Sequence, residues 1–374
     1  MAPGSSLPPG GDAAHNGPVP ASLPWVQVVR NFVVDWLVLN WVDVVSMMAL
    51  GGVTFGVYHS PVFVTRTFPI SFNGTSGDIV YPQLAYPDRG WIIPSWLAGI
   101  ISIGAPIVVY LAALFKIQCL WDATASIMGS IASVLLASLF QVTIKQLVGG
   151  FRPYFLTVCM PDAHRLRHDA SLNRTGLNAV GYHQLMYSTD VCTQPDGRKL
   201  KNAITSFPSG HSTAAFAGFG FLFLWLNAKL KVWADHRPAF WKLALTMVPL
   251  LTATVFACIL TVDAAHNWYD VLAGSVIGGL AALAGYRWSY AAVWDWRWNH
   301  VPLRRREPFD YEAVHHDGRL TLGRAAGWGG GGAGRRDSAT SSSALVSFAA
   351  PLGGQDGGRQ RRRAGVGGRA GEAA

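Results

Sequence analysis

The chain is 374 residues long, half of them hydrophobic, with only 14% charged and a formal net charge of +9. Average soluble domains carry about 25% charged residues, so this composition excludes an ordinary water-soluble globule. The positive excess does not mark a nucleic-acid binder either. Much of it sits in the C-terminal tail, at Arg304 to Arg306, Arg335, Arg336, Arg359 and Arg361 to Arg363, where anionic lipid or membrane topology is the better account.

Taken in chain order, residues 1–30 read as a disordered N-terminal tail, its first 24 residues rich in Pro, Gly and Ala and without the basic-then-apolar pattern of a cleaved signal peptide. Residues 31–300 hold a single membrane domain. Its predicted spans are about 36–58, 91–115, 119–143, 208–228, 240–262 and 268–288, each near the ~20 residues a helix needs to cross a bilayer. The second is the clearest, with no charge between Trp91 and Phe115. The first is interrupted by Asn40 and Asp43, so its start can slip. The sixth contains Gly274-Ser-Val-Ile-Gly278, a spacing that lets two helices approach closely. Residues 301–374 are basic, turning from about Asp317 to Gly, Arg, Ser and Ala, a composition that cannot bury a core and reads as largely disordered. The expected fold is therefore all-α, a six-transmembrane-helix bundle between disordered tails. Fifteen tryptophans, many flanking the spans, fit the aromatic belts of such a protein.

Six spans place both termini on one side. The connections near Lys116, at Lys229, Lys231 and Arg237, and after Arg287 are basic, so the positive-inside rule puts them and the termini in the cytosol. Loops 59–90 and 144–207 then face the lumen or exterior. Both N-glycosylation sequons, Asn73-Gly-Thr75 and Asn173-Arg-Thr175, fall in those loops. Cys159 and Cys192 share the second outer loop, where a disulfide can form, although spacing alone leaves the bridge open. Cys119 and Cys258 lie in or near spans and read as packed thiols.

Three polar clusters gather on the outer side. Lys145 and Arg152 leave span three seven residues apart, which on one helix would put them on a common face, but Gly149-Gly150 between them favours a bend. Alone, two cations at a helix exit are more often lipid-headgroup contacts than a substrate site. Ser206-Phe-Pro208-Ser209-Gly210-His211 precedes span four, where a helix N-terminus with free N–H groups makes an anion site beside a histidine able to carry a proton. His266 and Asp270 stand one helical turn apart before span six, so the carboxylate can fix one ring nitrogen and leave the other as nucleophile or base. The same pair would serve equally as a structural cap. Together the clusters suit phosphoryl transfer, which needs positioning and charge neutralisation rather than a metal.

Lys145-x6-Arg152-Pro153, Pro208-Ser209-Gly210-His211 and His266-x3-Asp270 resemble the three signature motifs of the type 2 phosphatidic acid phosphatase (lipid phosphate phosphatase) and haloperoxidase superfamily. The resemblance covers roughly residues 36 to 290, including the six-span layout. It implies His266 as a nucleophile that becomes phosphohistidine, Asp270 as its orienting group and His211 as general acid. Lys145, Arg152, Ser209 and Gly210 would hold the phosphate, with no cofactor and no metal. The family's third motif begins Ser-Arg, six residues ahead of its histidine; here that arginine position is Leu260, preceded by Ile259. Three outcomes are open: another cation, such as Arg165, Arg167 or Arg174, substitutes; the substrate is altered; or catalysis is weak. The leading expectation is a metal-independent phosphatase of phosphatidic acid and related lipid phosphates, with its substrate presented from the bilayer. A headgroup transferase of the same superfamily and a weakly catalytic lipid-binding scaffold are the alternatives. No nucleic-acid partner is expected, and oligomeric state is not legible.

Overall fold

Helices account for most of the residues that the structure describes. The computed structural model describes residues 25–63, 66–72, 79–80, 82–162, 164, 166, 185–305, 309, 311 and 320–322. Six of its helices are long and apolar enough to cross a membrane: α1 (Trp25–His59), α2 (Ser95–Ile117), α3 (Leu120–Val148), α6 (Gly210–Leu230), α7 (Phe240–Val262) and α8 (Trp268–Ser289). Two short helices, α4 (Phe155–Cys159) and α5 (Gly197–Ala203), lie between α3 and α6. The all-α, six-span expectation therefore holds for an integral membrane protein. Both sequons, Arg165, Arg167 and Arg174, and most of both tails lie outside the described residues.

Two spans differ from expectation in informative ways. Helix α1 starts about ten residues early and runs through its polar interruptions. The Asn40 amide donates to the Trp36 carbonyl one turn back (2.9 Å), and Asp43 pairs with Arg305 (2.8 Å), so neither group is left bare in an apolar setting. Helix α2 begins at Ser95 rather than Trp91, after Pro94 in extended backbone (φ −60°, ψ 147°).

The core is α6. It is apolar on every face, the pattern of a helix surrounded by others, and it packs against α2, α3, α7 and α8. In a bilayer, helices gain little from the hydrophobic effect, and association rests on close packing and polar contacts. Gly274 and Gly278 supply the closeness: a Cβ there would fall 2.6 Å from the Ser209 carbonyl, or inside the Thr213 carbonyl of α6. The small-residue spacing is thus a packing seam between α8 and α6.

Polar contacts dominate the end of the bundle far from the sequence motifs. Lys229, fully buried, pairs with Asp122 (2.6 Å) and donates to the His300 carbonyl (3.1 Å). Tyr290 donates to Asp122 (3.1 Å) and shares a hydrogen bond with Ser126 (2.7 Å), which also accepts from the Trp225 indole (2.9 Å). The chain after α8 folds back across this end, with Ala291 N–H on the Val301 carbonyl (3.0 Å) and Leu322 N–H on that of Lys229 (3.0 Å). The sequence counts Lys229 and Lys231 as loop charges. Both are buried because their partners come from elsewhere in the chain.

At the other end the two loops join through a small antiparallel sheet absent from the sequence reading. Its strands run in the order β2 (Ile79–Val80), β1 (Phe68–Phe72), β3 (Leu185–Tyr187), with Phe68 opposite Tyr187 and Ser71 opposite Val80. Cys159 and Cys192 are disulfide-bonded, settling the question that spacing left open. Phe68, Phe155, Tyr187 and Cys159 form a second hydrophobic cluster, capping the bundle above α3, α6 and α8.

Candidate active site

The turn between α7 and α8 sets His266. Helix α7 ends at Val262, and the Leu260 carbonyl accepts from both Ala265 N–H and His266 N–H (3.1 Å each). Ala264 takes up positive φ (54°), and the Asp263 carboxylate accepts from Ala265 N–H (3.1 Å). Asn267 caps α8, where the Asp270 carboxylate reaches back to accept from Asn267 N–H (3.0 Å). The His266 side chain is left almost completely buried at the N-terminal end of α8.

Its two ring nitrogens have different partners. Nε2 lies 3.3 Å from an Arg152 guanidinium nitrogen. Guanidinium only donates, so Nε2 presents its lone pair there and Nδ1 carries the hydrogen. Nδ1 is 3.5 Å from the Asp270 carboxylate, at the edge of a useful contact, but 3.2 Å from Ser206 Oγ. Ser206 in turn donates a short hydrogen bond to the same Asp270 oxygen. The expected His266–Asp270 link therefore runs largely through a serine. Burial first, and then Arg152, Lys145 and His211 beside it, hold the His266 imidazole well below its ordinary pKa, so the ring is neutral at physiological pH with its lone pair available.

The first two motifs meet by backbone pairing rather than on a shared helix face. Helix α3 ends at Val148, and Gly149 and Gly150 both adopt positive φ (62° and 115°), which glycine tolerates without strain. Ser206 and Phe207 N–H then donate to the Gly150 and Gly149 carbonyls (3.0 Å each). Lys145 stays on the last turn of α3 and donates to the Thr205 carbonyl (2.8 Å). Arg152, buried, is fixed by Asn202 through its carbonyl (2.7 Å) and side-chain oxygen (3.0 Å), and by the Ala265 carbonyl (2.7 Å).

Ser209 caps α6, its N–H donates to the Asp270 carbonyl (3.0 Å), and its buried Oγ has no protein partner among the described residues. Gly210 opens the helix beside Gln141, which donates to the Pro208 carbonyl (3.0 Å). His211 bonds through Nε2 to the Ile93 carbonyl (3.0 Å) and stacks on the Trp91 ring at 5.0 Å between centroids. The seven residues singled out from the sequence thus gather in one place with cations, a helix N-terminus and two histidines.

Sequence reasoning missed three parts of this arrangement. The motif alone assigns Ser206 no role, although a hydroxyl two residues before Pro208 is a usable signal. Hydropathy merges Trp91 with span two. Asn202, which fixes Arg152, carried no signal, since its position depends on α5 folding back toward α3. Position 260 contributes a carbonyl and a buried leucine side chain, so no cation reaches the site from there.

Comparison with known proteins points one way. The PAP2 superfamily profile matches residues 126–294. Lipid phosphate phosphatase 2 of Arabidopsis thaliana is 31% identical over 272 residues, which is 72% of this chain and 81% of that protein. Lipid phosphate phosphatase 1 of the same plant is 32% identical over 214 residues, 57% and 60% of the two chains. Diacylglycerol pyrophosphate phosphatase 1 of Saccharomyces cerevisiae is 30% identical over 200 residues, 54% and 60%. No solved structure gives a match.

Proposed function

The chain belongs to the PAP2 superfamily, the type 2 phosphatidic acid phosphatases, and from that premise we propose that it hydrolyses lipid phosphate monoesters such as phosphatidic acid through a phosphohistidine at His266. The observation that carries this reading is the division of labour on the His266 ring, with Nδ1–H tied through Ser206 to Asp270 and the Nε2 lone pair turned toward Arg152. Nε2 attacks phosphorus, the P–O ester bond breaks, and His211 gives its proton to the departing alkoxide. His211 then takes a proton from water, whose oxygen attacks the phosphohistidine and releases inorganic phosphate. Lys145, Arg152, the Ser209 hydroxyl and the Gly210 N–H neutralise the phosphoryl oxygens, supplying charge that a metal would otherwise provide. In this reading the site faces the lumen or exterior and both termini the cytosol.

One experiment tests activity and orientation together. Sealed vesicles with their cytosolic face outward, given a short-chain water-soluble phosphatidic acid in chelator, should release phosphate only after detergent opens them. Full activity before opening would reverse the orientation, and no hydrolysis afterwards would reject the function.

Leu260 gives a second test. Lys145 and Arg152 flank the site, and the position itself is 2% exposed, so Leu260→Arg adds a buried guanidinium that needs its own partner. Turnover on phosphatidic acid should stay level or fall, whereas Lys145→Ala should lower it by about 10²-fold, the scale of losing one preorganised donor. A rise of about tenfold or more in Leu260→Arg would mean that the native site lacks a phosphate-binding cation.

A further inference from the structure

Trp91 touches more of the site than any motif explains. Its ring is stacked on His211 at 5.0 Å with only 16° between planes. The Arg152 guanidinium carbon lies over the same ring, 4.8 Å from its centroid. His266 meets it edge-on at 6.4 Å and 71°. Two residues further on, the Ile93 carbonyl accepts from His211 Nε2 at 3.0 Å. A stacked ring blocks tilting of the imidazole, and an in-plane hydrogen bond blocks its rotation, so the segment ahead of α2 holds both freedoms of the general acid at once. The carbonyl can only accept, so Nε2 keeps its hydrogen. The proton that His211 can hand over, when it is doubly protonated, then sits on Nδ1.

We propose that Trp91 is the positioning residue of the leaving-group protonation step: it holds His211 so that Nδ1–H meets the departing oxygen. The proposal rests on the phosphatase reading above. Plain packing is the competing role, since Trp91 also borders the Phe68, Phe155 and Tyr187 cluster.

Substrates that differ only in leaving group separate the two. The pair is octyl phosphate, whose alkoxide needs a proton, and 4-octyl-2-nitrophenyl phosphate, whose phenolate does not. Trp91→Ala should lower kcat/KM, which ends at departure of the alcohol or phenol and so leaves out the water step common to both esters, by about 10²-fold on octyl phosphate, the lower range for losing general-acid assistance, and by less than about threefold on the nitrophenyl ester. His211→Ala should show the same selectivity, and adding Trp91→Ala to it should bring no further loss, because residues acting as one unit are not additive. Trp91→Phe keeps a stacking face and should recover octyl phosphate turnover to within about fivefold of native. Equal losses on both esters, additive losses with His211→Ala, or an unchanged rate in Trp91→Ala would each overturn the assignment. Turnover of both esters by His266→Ala would overturn the phosphohistidine mechanism and the Trp91 role with it.

Discussion

His266→Ala is expected to abolish turnover of phosphatidic acid and the covalent phosphoenzyme together, a loss above about 10⁴-fold, as for other enzymes stripped of their nucleophile. The phosphoenzyme should have the acid-labile, alkali-stable character of an N–P bond, and rapid quenching with labelled substrate would measure it. Ser206→Ala should land between this variant and native protein. It removes the hydroxyl that links Nδ1 to Asp270, leaving only the 3.5 Å approach, and a lost hydrogen bond to a charged partner is commonly ~1.5–3 kcal/mol. That corresponds to a decrease of roughly 10–150-fold, with the phosphoenzyme still formed. His211→Ala should retain phosphoenzyme formation on activated esters while losing about 10²–10⁴-fold on lipid. Native-level turnover by purified His266→Ala protein would defeat the mechanism outright.

The second large effect lies at the opposite end of the bundle and concerns stability. Asp122→Ala should destabilise the protein by about 3–5 kcal/mol, because it leaves the ammonium of Lys229 buried without its carboxylate. It also takes an acceptor from Tyr290, loosening the segment that folds back after α8. Asp122→Leu combined with Lys229→Met removes both charges and should recover most of the loss, since a buried ion pair adds little over well-packed apolar side chains. Thermal unfolding in detergent, followed for the native protein and both variants, gives the comparison. An Asp122→Ala protein as heat-resistant as native would mean that the pair makes no net contribution. Catalysis measured below the transition should be close to native in the double variant, because the network and the His266 site occupy opposite ends of helices α3 and α6.

What could be read directly from the sequence was whatever repeats locally or is required by the solvent. Six charge-poor stretches longer than a bilayer is thick leave no other fold for a chain with this composition, and their extents matched to within a few residues for α6, α7 and α8. Residues at short separation were equally legible: His266 with Asp270, Gly149-Gly150 as a bend, and Gly274 with Gly278 as a close-packed seam. The motif spacing picked out the seven residues that the fold brings together.

Only the tertiary structure decided which groups those residues use. Ser206 enters between His266 and Asp270 from 60 residues away, and Asn202 orients Arg152 from 50. Trp91 reaches His211 and Arg152 from a loop that hydropathy merges with a span. Lys229 looks like a cytosolic loop charge until Asp122, 107 residues earlier, is found beside it. The physical reason is common to all four. Hydropathy and helical period act over a few neighbouring residues, whereas a buried polar group is satisfied by whichever donor or acceptor the packed helices bring within about 3 Å, and separation along the chain carries no record of that distance.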